Sequence, residues 1–182
     1  MRIIAGSRKG ARIFAPKGSE TRPTGDRVRE AAFNLIGPVR VEDATVLDLF
    51  AGSGAMGLEA LSRGAARATF VDDDREACRA INRNLDKLAL EGATVLCQDA
   101  LTALRADVRS GTRYDLVLVD PPYRRFSSLQ NALIQYLPEI LEPSGLLLVE
   151  TAADEEPELP LARRTSRRYG SARLTLFERE AS

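Results

Sequence analysis

The sequence contains no histidine, no tryptophan and only two cysteines. Without histidine, a Ser-His or Cys-His nucleophile pair and metal ligation by imidazole are both excluded. Cys78 and Cys97 offer neither a disulfide framework nor the spacing of a metal site, so we expect no metal and a reducing, cytoplasmic location. Any catalysis must therefore use carboxylates, backbone groups, hydroxyls, aromatic rings or a bound cofactor.

Long hydrophobic runs are also missing. No apolar stretch approaches the roughly 20 residues that span a bilayer, and the opening residues MRIIAGSRKG lack the apolar segment of a secretory signal. The 182 residues, 44% apolar and 29% charged, suit one compact unit with its own core. We expect a monomer that does not enter a membrane.

The net charge is zero, yet positive charge is concentrated at the two ends of the chain. Residues 1–40 contain nine Lys or Arg and three Asp or Glu, which gives this segment a charge of +6. The guanidinium group suits phosphate, so this clustering favours a polyanionic partner, although an ordinary solvated surface is the alternative. A second cluster comprises Arg163, Arg164, Arg167, Arg168 and Arg173.

The first 40 residues predict a small extension to the main domain, which we place at residues 41–182. Residues 2–15 have the pattern of a β-hairpin with a glycine turn. A helix is expected to follow, capped by Thr24 or Asp26, and to run to about Ile36.

From residue 45 onward, short apolar runs alternate with helical periods. This alternation predicts an α/β fold with a doubly wound, mostly parallel, Rossmann-like sheet that carries helices on both faces. After an acidic linker at 154–160, residues 172–177 alternate in polarity and predict an antiparallel C-terminal strand at the sheet edge. The expected parallel strands are 45–49, 68–71, 94–97, 116–119 and 145–150, and the expected helices are 55–62, 75–88 and 129–140.

A glycine loop, DLFAGSGAMG, joins the first of these strands to its helix. The G-x-G-x-x-G pattern is typical of a backbone that approaches a ligand closely, although purely structural glycines are the alternative. Asp48 at the strand end suits a cationic group, such as the ammonium of an amino-acid cofactor, and would repel a pyrophosphate. We expect the cofactor to contact Asp48, Phe50, Ala51, Gly52, Ser53, Gly54 and Gly57.

Acidic residues follow the next two strands. Asp72 lies 18 residues beyond Gly54, the usual position of a carboxylate that binds both ribose hydroxyls, and Asp74 is expected to cap the following helix. Asp99 is a candidate acceptor for an adenine amino group, with the backbone of Ala100 donating to the ring. Capping of the next helix is an equal alternative for Asp99, and the two roles are compatible.

The most informative segment is Asp120-Pro121-Pro122-Tyr123, which follows the fourth strand. The prolines stiffen the loop and aim the Asp120 carboxylate and the Pro121 carbonyl at one point, which suits an NH2 donor. Hydrogen bonds to both amine protons favour a pyramidal nitrogen whose lone pair faces a sulfonium methyl group.

Tyr123 offers a flat face on which an extruded base can stack. The alternative is a rigid turn with a packed tyrosine. Because the first and fourth strands of a doubly wound sheet lie side by side, we expect this loop and the glycine loop to meet. The predicted catalytic residues are Asp120, Pro121, Pro122 and Tyr123, with Asp120 also near the cofactor.

Together these motifs resemble a known family. DLFAGSGAMGLEALSRGA followed by VDPPY resembles class I methyltransferases that modify exocyclic amines. RPTGDRVREAAFN at 22–34 and the terminal YGSARLTLFERE resemble the RsmD-type family of bacterial 16S rRNA guanine-N2 methyltransferases. The resemblance, which covers nearly the whole chain, implies S-adenosylmethionine as methyl donor, S-adenosylhomocysteine as product, and a guanine N2 in the 16S rRNA of a partially assembled small subunit as target. Similar proteins often have Glu where this chain has Asp72, which shortens the reach to the ribose.

Basic residues of the extension are the candidates for RNA contact. For the arginines of the narrow RPT-x-DRVRE motif, two alternatives are positioning of the N-terminal segment over the cofactor and salt bridging on the helix surface, for instance to Asp26 or Glu30. The candidates are Arg8, Lys9, Arg12, Arg22, Arg27 and Arg29.

Three other functions use a similar loop or fold. An N6-adenine DNA methyltransferase would need a domain that reads the major groove, for which 182 residues leave little room. A protein glutamine N5-methyltransferase fits the basic chain ends poorly. A nicotinamide-binding Rossmann module fits neither Asp48 nor the Asp-Pro-Pro-Tyr segment.

Overall fold

A computed structural model describes residues 1–16 and 25–180, without the side chains of residues 123–128. Its strands are β1 Thr45–Leu49, β2 Arg67–Asp72, β3 Ala93–Cys97, β4 Tyr114–Val119, β5 Leu141–Ala152, β6 Ala162–Tyr169 and β7 Ala172–Glu178. Its α-helices are α1 Asp26–Ile36, α2 Ala55–Ser62, α3 Arg75–Leu88, α4 Ala100–Ser110 and α5 Tyr123–Ile140. None of these helices is long and apolar enough to cross a membrane.

The seven strands form one sheet in the order β3-β2-β1-β4-β5-β7-β6. Strands β1 to β5 are parallel, while β7 pairs antiparallel with both β5 and β6. The predicted fold class is therefore confirmed. The first and fourth strands of the alternating region are neighbours, as expected, and Leu49 pairs with Val119 at their carboxyl ends. This is the point at which the winding of the sheet reverses.

Two hydrophobic cores cover the two faces of the sheet. On one face, Phe33 of α1 and Leu58 of α2 join a cluster that includes Val46 of β1. On the other face, Leu133 of α5 packs in a cluster that includes Leu47 of β1. Successive residues of a strand point to opposite faces, so a strand buried on both sides must be apolar throughout. This requirement explains the continuous apolar runs of the sequence.

The C-terminal part of the sheet differs from the prediction in one respect. The antiparallel strand β7 was expected at the edge, but it lies between β5 and β6, and β6 forms the edge instead. The sequence of β6, ARRTSRRY, lacks apolar alternation, and six of its eight residues are polar or charged. Such a strand forms because β7 supplies its hydrogen-bond partners, and edge strands commonly carry charges.

The N-terminal extension is more irregular than a hairpin. Instead of two paired strands, the structure has one antiparallel bridge between Arg2 and Arg12, with a turn of 3-10 helix at Gly6–Arg8. Gly25 occupies the N-cap position of α1, and Asp26, a predicted cap, is the first helical residue. Thr24, the other predicted cap, lies outside the described residues. Ile3 is buried in the same cluster as Phe33, so the extension shares the core of the sheet.

Candidate active site

The candidate site lies where β1 and β4 end side by side. The backbone N–H of Asp120 donates to the carbonyl of Leu49 at 3.4 Å, which joins the two loops that follow these strands. One is the glycine loop and the other is the Asp-Pro-Pro segment. The predicted meeting of the two motifs at the carboxyl edge of the sheet is confirmed.

The glycine loop contains left-handed backbone conformations. Phe50, Gly52 and Gly54 all have positive φ angles, 62°, 54° and 75° respectively. For the non-glycine Phe50 this conformation is strained by roughly 1–3 kcal/mol, and such strain is concentrated at functional sites. Among the described residues, a Cβ atom added at Gly52 would meet nothing within 4 Å, whereas one at Gly57 would lie 2.3 Å from the Phe70 ring. Gly57 therefore permits helix packing, and Gly52 borders open space.

Asp48 is buried beneath this loop, with 2% of its surface exposed. Its carboxylate accepts a hydrogen bond from the backbone N–H of Gly57 at 2.8 Å. The pKa of Asp48 is raised from 3.8 to about 8, mainly by burial. The Gly57 hydrogen bond lowers this pKa, and the nearby carboxylates of Asp120 and Asp72 contribute to the rise. Asp48 is thus a buried acid whose surroundings add negative charge, and a bound cation would relieve that repulsion.

Asp72, at the end of the neighbouring strand β2, binds the backbone of the glycine loop. Its Oδ2 accepts from the Gly52 N–H at 2.7 Å, and its Oδ1 accepts from the Asp74 N–H at 2.9 Å. Burial is the main cause that raises the pKa of Asp72. An ionised carboxylate has about four acceptor positions, so two remain for a ligand. Asp74 caps α3 by accepting from Glu76 N–H at 2.8 Å, which confirms the cap predicted there.

Asp99 acts as the N-cap of α4. Its carboxylate accepts from the Thr102 N–H at 3.1 Å, and the side chain is exposed, while the adjacent Ala100 is buried. The capping alternative is therefore confirmed for Asp99. Contact with an adenine remains a prediction, since an exposed capping carboxylate has further acceptor positions.

The Asp-Pro-Pro segment leads directly from β4 into α5. Asp120 is half-buried, Pro121 is buried, and Pro122 is the N-cap residue of α5. Helix α5 begins at Tyr123, six residues earlier than the apolar periodicity indicated. The side chain of Tyr123 lies outside the described residues, and its predicted stacking role stays a prediction.

Arg29 is buried, although its position in the sequence predicts a surface residue. Its side chain is fully buried and forms ion pairs with Asp26 at 3.0 Å and with Glu59 at 3.5 Å. It also donates to the carbonyl of Arg2. Burial excludes the direct RNA contact that we expected, which corrects this prediction, and the contacts agree with the alternative of positioning the N-terminal segment.

The other RNA candidates differ in exposure. Lys9, Arg12 and Arg27 are exposed, and Arg8 is partly buried against the C-terminal end of α3. Arg22 lies outside the described residues. The burial of Arg29 therefore leaves four described candidates at the surface.

Two buried polar residues, Glu59 and Asn84, hold the extension in place and were missed in the sequence. Glu59 accepts from the backbone N–H groups of Ile4 at 2.8 Å and Ala5 at 2.9 Å. Asn84 accepts from the N–H of Phe14 at 2.7 Å and donates to its carbonyl at 3.0 Å. The sequence signal that could have revealed both residues is a polar side chain on an otherwise apolar helix face.

Comparisons with known proteins agree with this geometry. The family model described as Conserved hypothetical protein 95 matches residues 1–178. A Bacillus subtilis protein named putative rRNA methyltransferase YlbH is 42% identical over 163 residues, which cover 88% of this chain and 86% of the relative. Ribosomal RNA small subunit methyltransferase D of Escherichia coli K12 is 42% identical over 159 residues, 87% of this chain and 75% of the relative. The structure of the putative methyltransferase yhhF from E. coli has a TM-score of 0.85 and 38% identity, and the match covers 100% of this chain and 99% of that one.

Proposed function

The chain belongs to the Conserved hypothetical protein 95 family, the RsmD family, and we propose that it methylates the exocyclic N2 amine of a guanine in 16S rRNA, with S-adenosylmethionine as methyl donor. One observation carries the proposal. The carboxylates of Asp72 and Asp120 both raise the pKa of the buried Asp48 at the carboxyl edge of the sheet, where β1 and β4 end side by side. This negative site adjoins a stiff loop of hydrogen-bond acceptors.

The residues of the site fit a cationic cofactor that contains a nucleoside. S-adenosylmethionine carries an ammonium group and supplies a methyl group activated by a positively charged sulfur. Asp48 suits the ammonium group because its carboxylate is buried among other carboxylates. Asp72 suits the ribose hydroxyls because it keeps acceptor positions beside the open space at Gly52. Asp99 and the Ala100 backbone are the proposed adenine contacts.

Asp120 and Pro121 are the proposed contacts of the target amine. The Asp120 carboxylate and the Pro121 carbonyl each accept a hydrogen bond from one N–H of the NH2 group, which directs the nitrogen lone pair at the methyl carbon. A methylated nitrogen carries one proton too many, and the Asp120 carboxylate is the proposed acceptor of that proton. Tyr123 at the start of α5 is the proposed stacking partner of the flipped guanine, a contact worth roughly 1–3 kcal/mol in single-strand binders.

We further propose that the substrate is 16S rRNA, alone or in a partially assembled small subunit, and that the enzyme acts as a cytoplasmic monomer. The names of the similar proteins support an RNA substrate. So does the exposed positive charge on Lys9, Arg12 and Arg27, since phosphate contacts supply much of the affinity of proteins for nucleic acids.

The proposal is tested by transfer of an isotope-labelled methyl group. The purified protein is incubated with labelled S-adenosylmethionine and with small subunits from cells that lack its gene, and the nucleosides are then analysed by mass spectrometry. We expect label in N2-methylguanosine at one site. Parallel incubations use duplex DNA and total cell protein. Label in N6-methyladenine of DNA, or in a glutamine side chain, would show that one of the rival functions is the correct one.

A further inference from the structure

Helix α3 presents two cations to the aromatic ring of Phe14. The guanidinium carbon of Arg83 lies 3.5 Å from the ring centroid, and Nζ of Lys87 lies 4.7 Å from it. These residues are four positions apart and therefore lie on one face of the helix. Lys87 also donates from Nζ to the carbonyl of Arg12 at 2.6 Å. Two basic residues of the main domain thus contact the basic N-terminal extension.

Neutral groups hold these cations in position. Arg8 donates to the carbonyls of Leu88 and Ala89 at the C-terminal end of α3, the second at 3.0 Å. Within residues 1–16 and 25–180, Arg8, Arg83 and Lys87 form no ion pair with a carboxylate. A carbonyl oxygen or an aromatic face fixes a cation without neutralising it. The local positive charge is therefore available to a partner.

Some exposed arginines elsewhere in the described residues are paired with acids. Arg79, one helical turn before Arg83, forms an ion pair with Glu76, and Arg163 pairs with Glu156 at 2.5 Å. Between Arg83 and Leu88, Asp86 is the one acidic residue. The cations around Phe14 are thus held by an aromatic ring and by carbonyl oxygens, whereas Arg79 and Arg163 are held by acids.

This cluster lies close to the candidate active site. Asn84 follows Arg83 in α3, and its side-chain amide donates to the carbonyl of Ser53 in the glycine loop at 3.2 Å. The same amide pairs with the backbone of Phe14. One buried residue therefore joins the cationic cluster to the glycine loop.

We propose that these cations bind the phosphodiester backbone of the RNA substrate. The α3 basic surface comprises Arg83 and Lys87, which contact Phe14, and the basic residues Arg8, Lys9 and Arg12 of the extension. The proposal rests on the proposed function and adds two residues of α3 to the RNA-contacting set. Contacts to phosphate fix the position and register of a nucleic acid without reading its sequence. A surface of fixed charges beside the glycine loop suits that task.

The test compares two variants of α3 in the full-length protein. In Arg83→Gln/Lys87→Gln we expect KM for the RNA substrate to rise about fivefold or more near physiological salt, with kcat and the affinity for S-adenosylhomocysteine unchanged. The slope of log(kcat/KM) against log salt should become shallower by about 1.4, since each single-strand phosphate contact contributes about 0.7. Arg79→Gln, on the same helix but paired with Glu76, is the matched control and should show neither change.

The possible outcomes distinguish a failure of the proposed RNA-binding surface from a failure of the proposed function. If the wild-type protein methylates RNA while Arg83→Gln/Lys87→Gln keeps the wild-type KM and salt slope, the α3 basic surface is not an RNA-binding site. If the wild type methylates no RNA, the proposed function itself has failed. Should the double variant unfold, Lys9→Gln/Arg12→Gln applies the same test, because both side chains are exposed. The charge-conserving Arg83→Lys should keep the wild-type salt slope.

Discussion

The side-chain amide of Asn84 donates to the carbonyl of Ser53 at 3.2 Å while it pairs with both backbone polar groups of Phe14. Asn84 is fully buried, so each of these bonds replaces a contact with water that folding removed. One side chain thereby fixes the N-terminal extension and the glycine loop relative to each other. The position of the extension and the shape of the cofactor site are consequently coupled.

Asn84→Ala should weaken both folding and cofactor binding. The substitution leaves the N–H and carbonyl of Phe14 and the carbonyl of Ser53 without this partner, and an unsatisfied buried polar group costs about 1–3 kcal/mol. We expect the free energy of unfolding, measured by urea denaturation, to fall by at least about 1 kcal/mol. The dissociation constant of S-adenosylhomocysteine, measured by calorimetry, should rise several-fold.

The control for this prediction is Asn82→Ala. Asn82 is an exposed residue of the same helix, and its amide donates to the Cys78 carbonyl at 3.0 Å. We expect this variant to bind S-adenosylhomocysteine as the wild type does. An equal loss of affinity in both variants would contradict the coupling, because it would show that any change in α3 disturbs the site.

The pKa of Asp48 predicts that the stability of the ligand-free protein falls with rising pH. The pKa is 3.8 in the unfolded chain and about 8 in the folded protein. Between these values the native state holds a proton that the unfolded chain has released, so raising the pH favours unfolding by up to about 1.4 kcal/mol per pH unit. Denaturation curves at several pH values should show this slope, and Asp48→Asn should reduce it, while Asp72, whose pKa is also raised, keeps its own smaller contribution.

The same carboxyl group should link cofactor binding to proton release. A cationic ligand favours the ionised form of Asp48, so below about pH 8 its binding displaces the proton. Calorimetric titration with S-adenosylmethionine in buffers of different ionisation enthalpy measures this release, and the affinity should increase as the pH approaches 8. A proton count of zero at pH 6 would show that Asp48 does not meet the positive charge of the ligand.

The sheet and both site loops could be predicted because their signals are local. A strand buried on both faces must be apolar throughout, which placed β1 within its observed bounds, Thr45–Leu49. The position of Asp120 next to the glycine loop followed from the adjacency of the first and fourth strands. These features depend on neighbouring residues or on general rules of topology.

The features that could not be predicted depend on distant partners. Strand β6 lacks apolar alternation and exists because β7 pairs with it, so its own sequence resembles a solvated loop. The sequence predicts Arg29 at the surface of α1, yet its side chain is buried and forms an ion pair with Glu59, which is 30 positions further along the chain. Helix periodicity says which face of a helix is apolar, but it does not identify the acid that will neutralise a buried cation.

Glu59→Gln, in α2, should be among the single substitutions that most weaken the attachment of the extension. The carboxylate is wholly buried and neutralises the equally buried Arg29, while Arg63 approaches it at 2.8 Å. Removing one partner of a buried ion pair typically costs about 3–5 kcal/mol. Arg29 keeps its ion pair with the partly exposed Asp26, so we expect a cost towards the lower end of this range. For a chain of this size each kcal/mol corresponds to roughly 2–4 °C in Tm.

This prediction is checked by comparing the Tm of Glu59→Gln with that of the control variant Glu30→Gln. Glu30 is an exposed acid on α1, and we expect its substitution to change Tm very little. A wild-type Tm for Glu59→Gln would mean that the buried pair between α1 and α2 does not hold the extension.

Asp120→Ala should abolish methyl transfer while the affinity for S-adenosylhomocysteine stays within a few-fold of wild type. The reason is that Asp120 is the proposed acceptor of an amine proton, whereas Asp48 and Asp72 are the proposed cofactor contacts. Single-turnover transfer to small-subunit RNA and calorimetric titration measure the two properties separately. If cofactor affinity is lost together with activity, Asp120 has a structural role in holding the loop against Leu49, to whose carbonyl its N–H donates.

Substitutions of Tyr123 test the remaining part of the proposed mechanism. Tyr123→Phe keeps the ring face and should retain most of the transfer rate, whereas Tyr123→Ala removes the face and should lower kcat/KM about 5- to 150-fold, the equivalent of roughly 1–3 kcal/mol of stacking. Single-turnover rates on the same RNA measure both variants. Because Tyr123 begins α5 directly after two prolines, its Cα position is fixed by the turn in either variant. Equal losses in the two variants would contradict stacking and would assign the effect to the hydroxyl group instead.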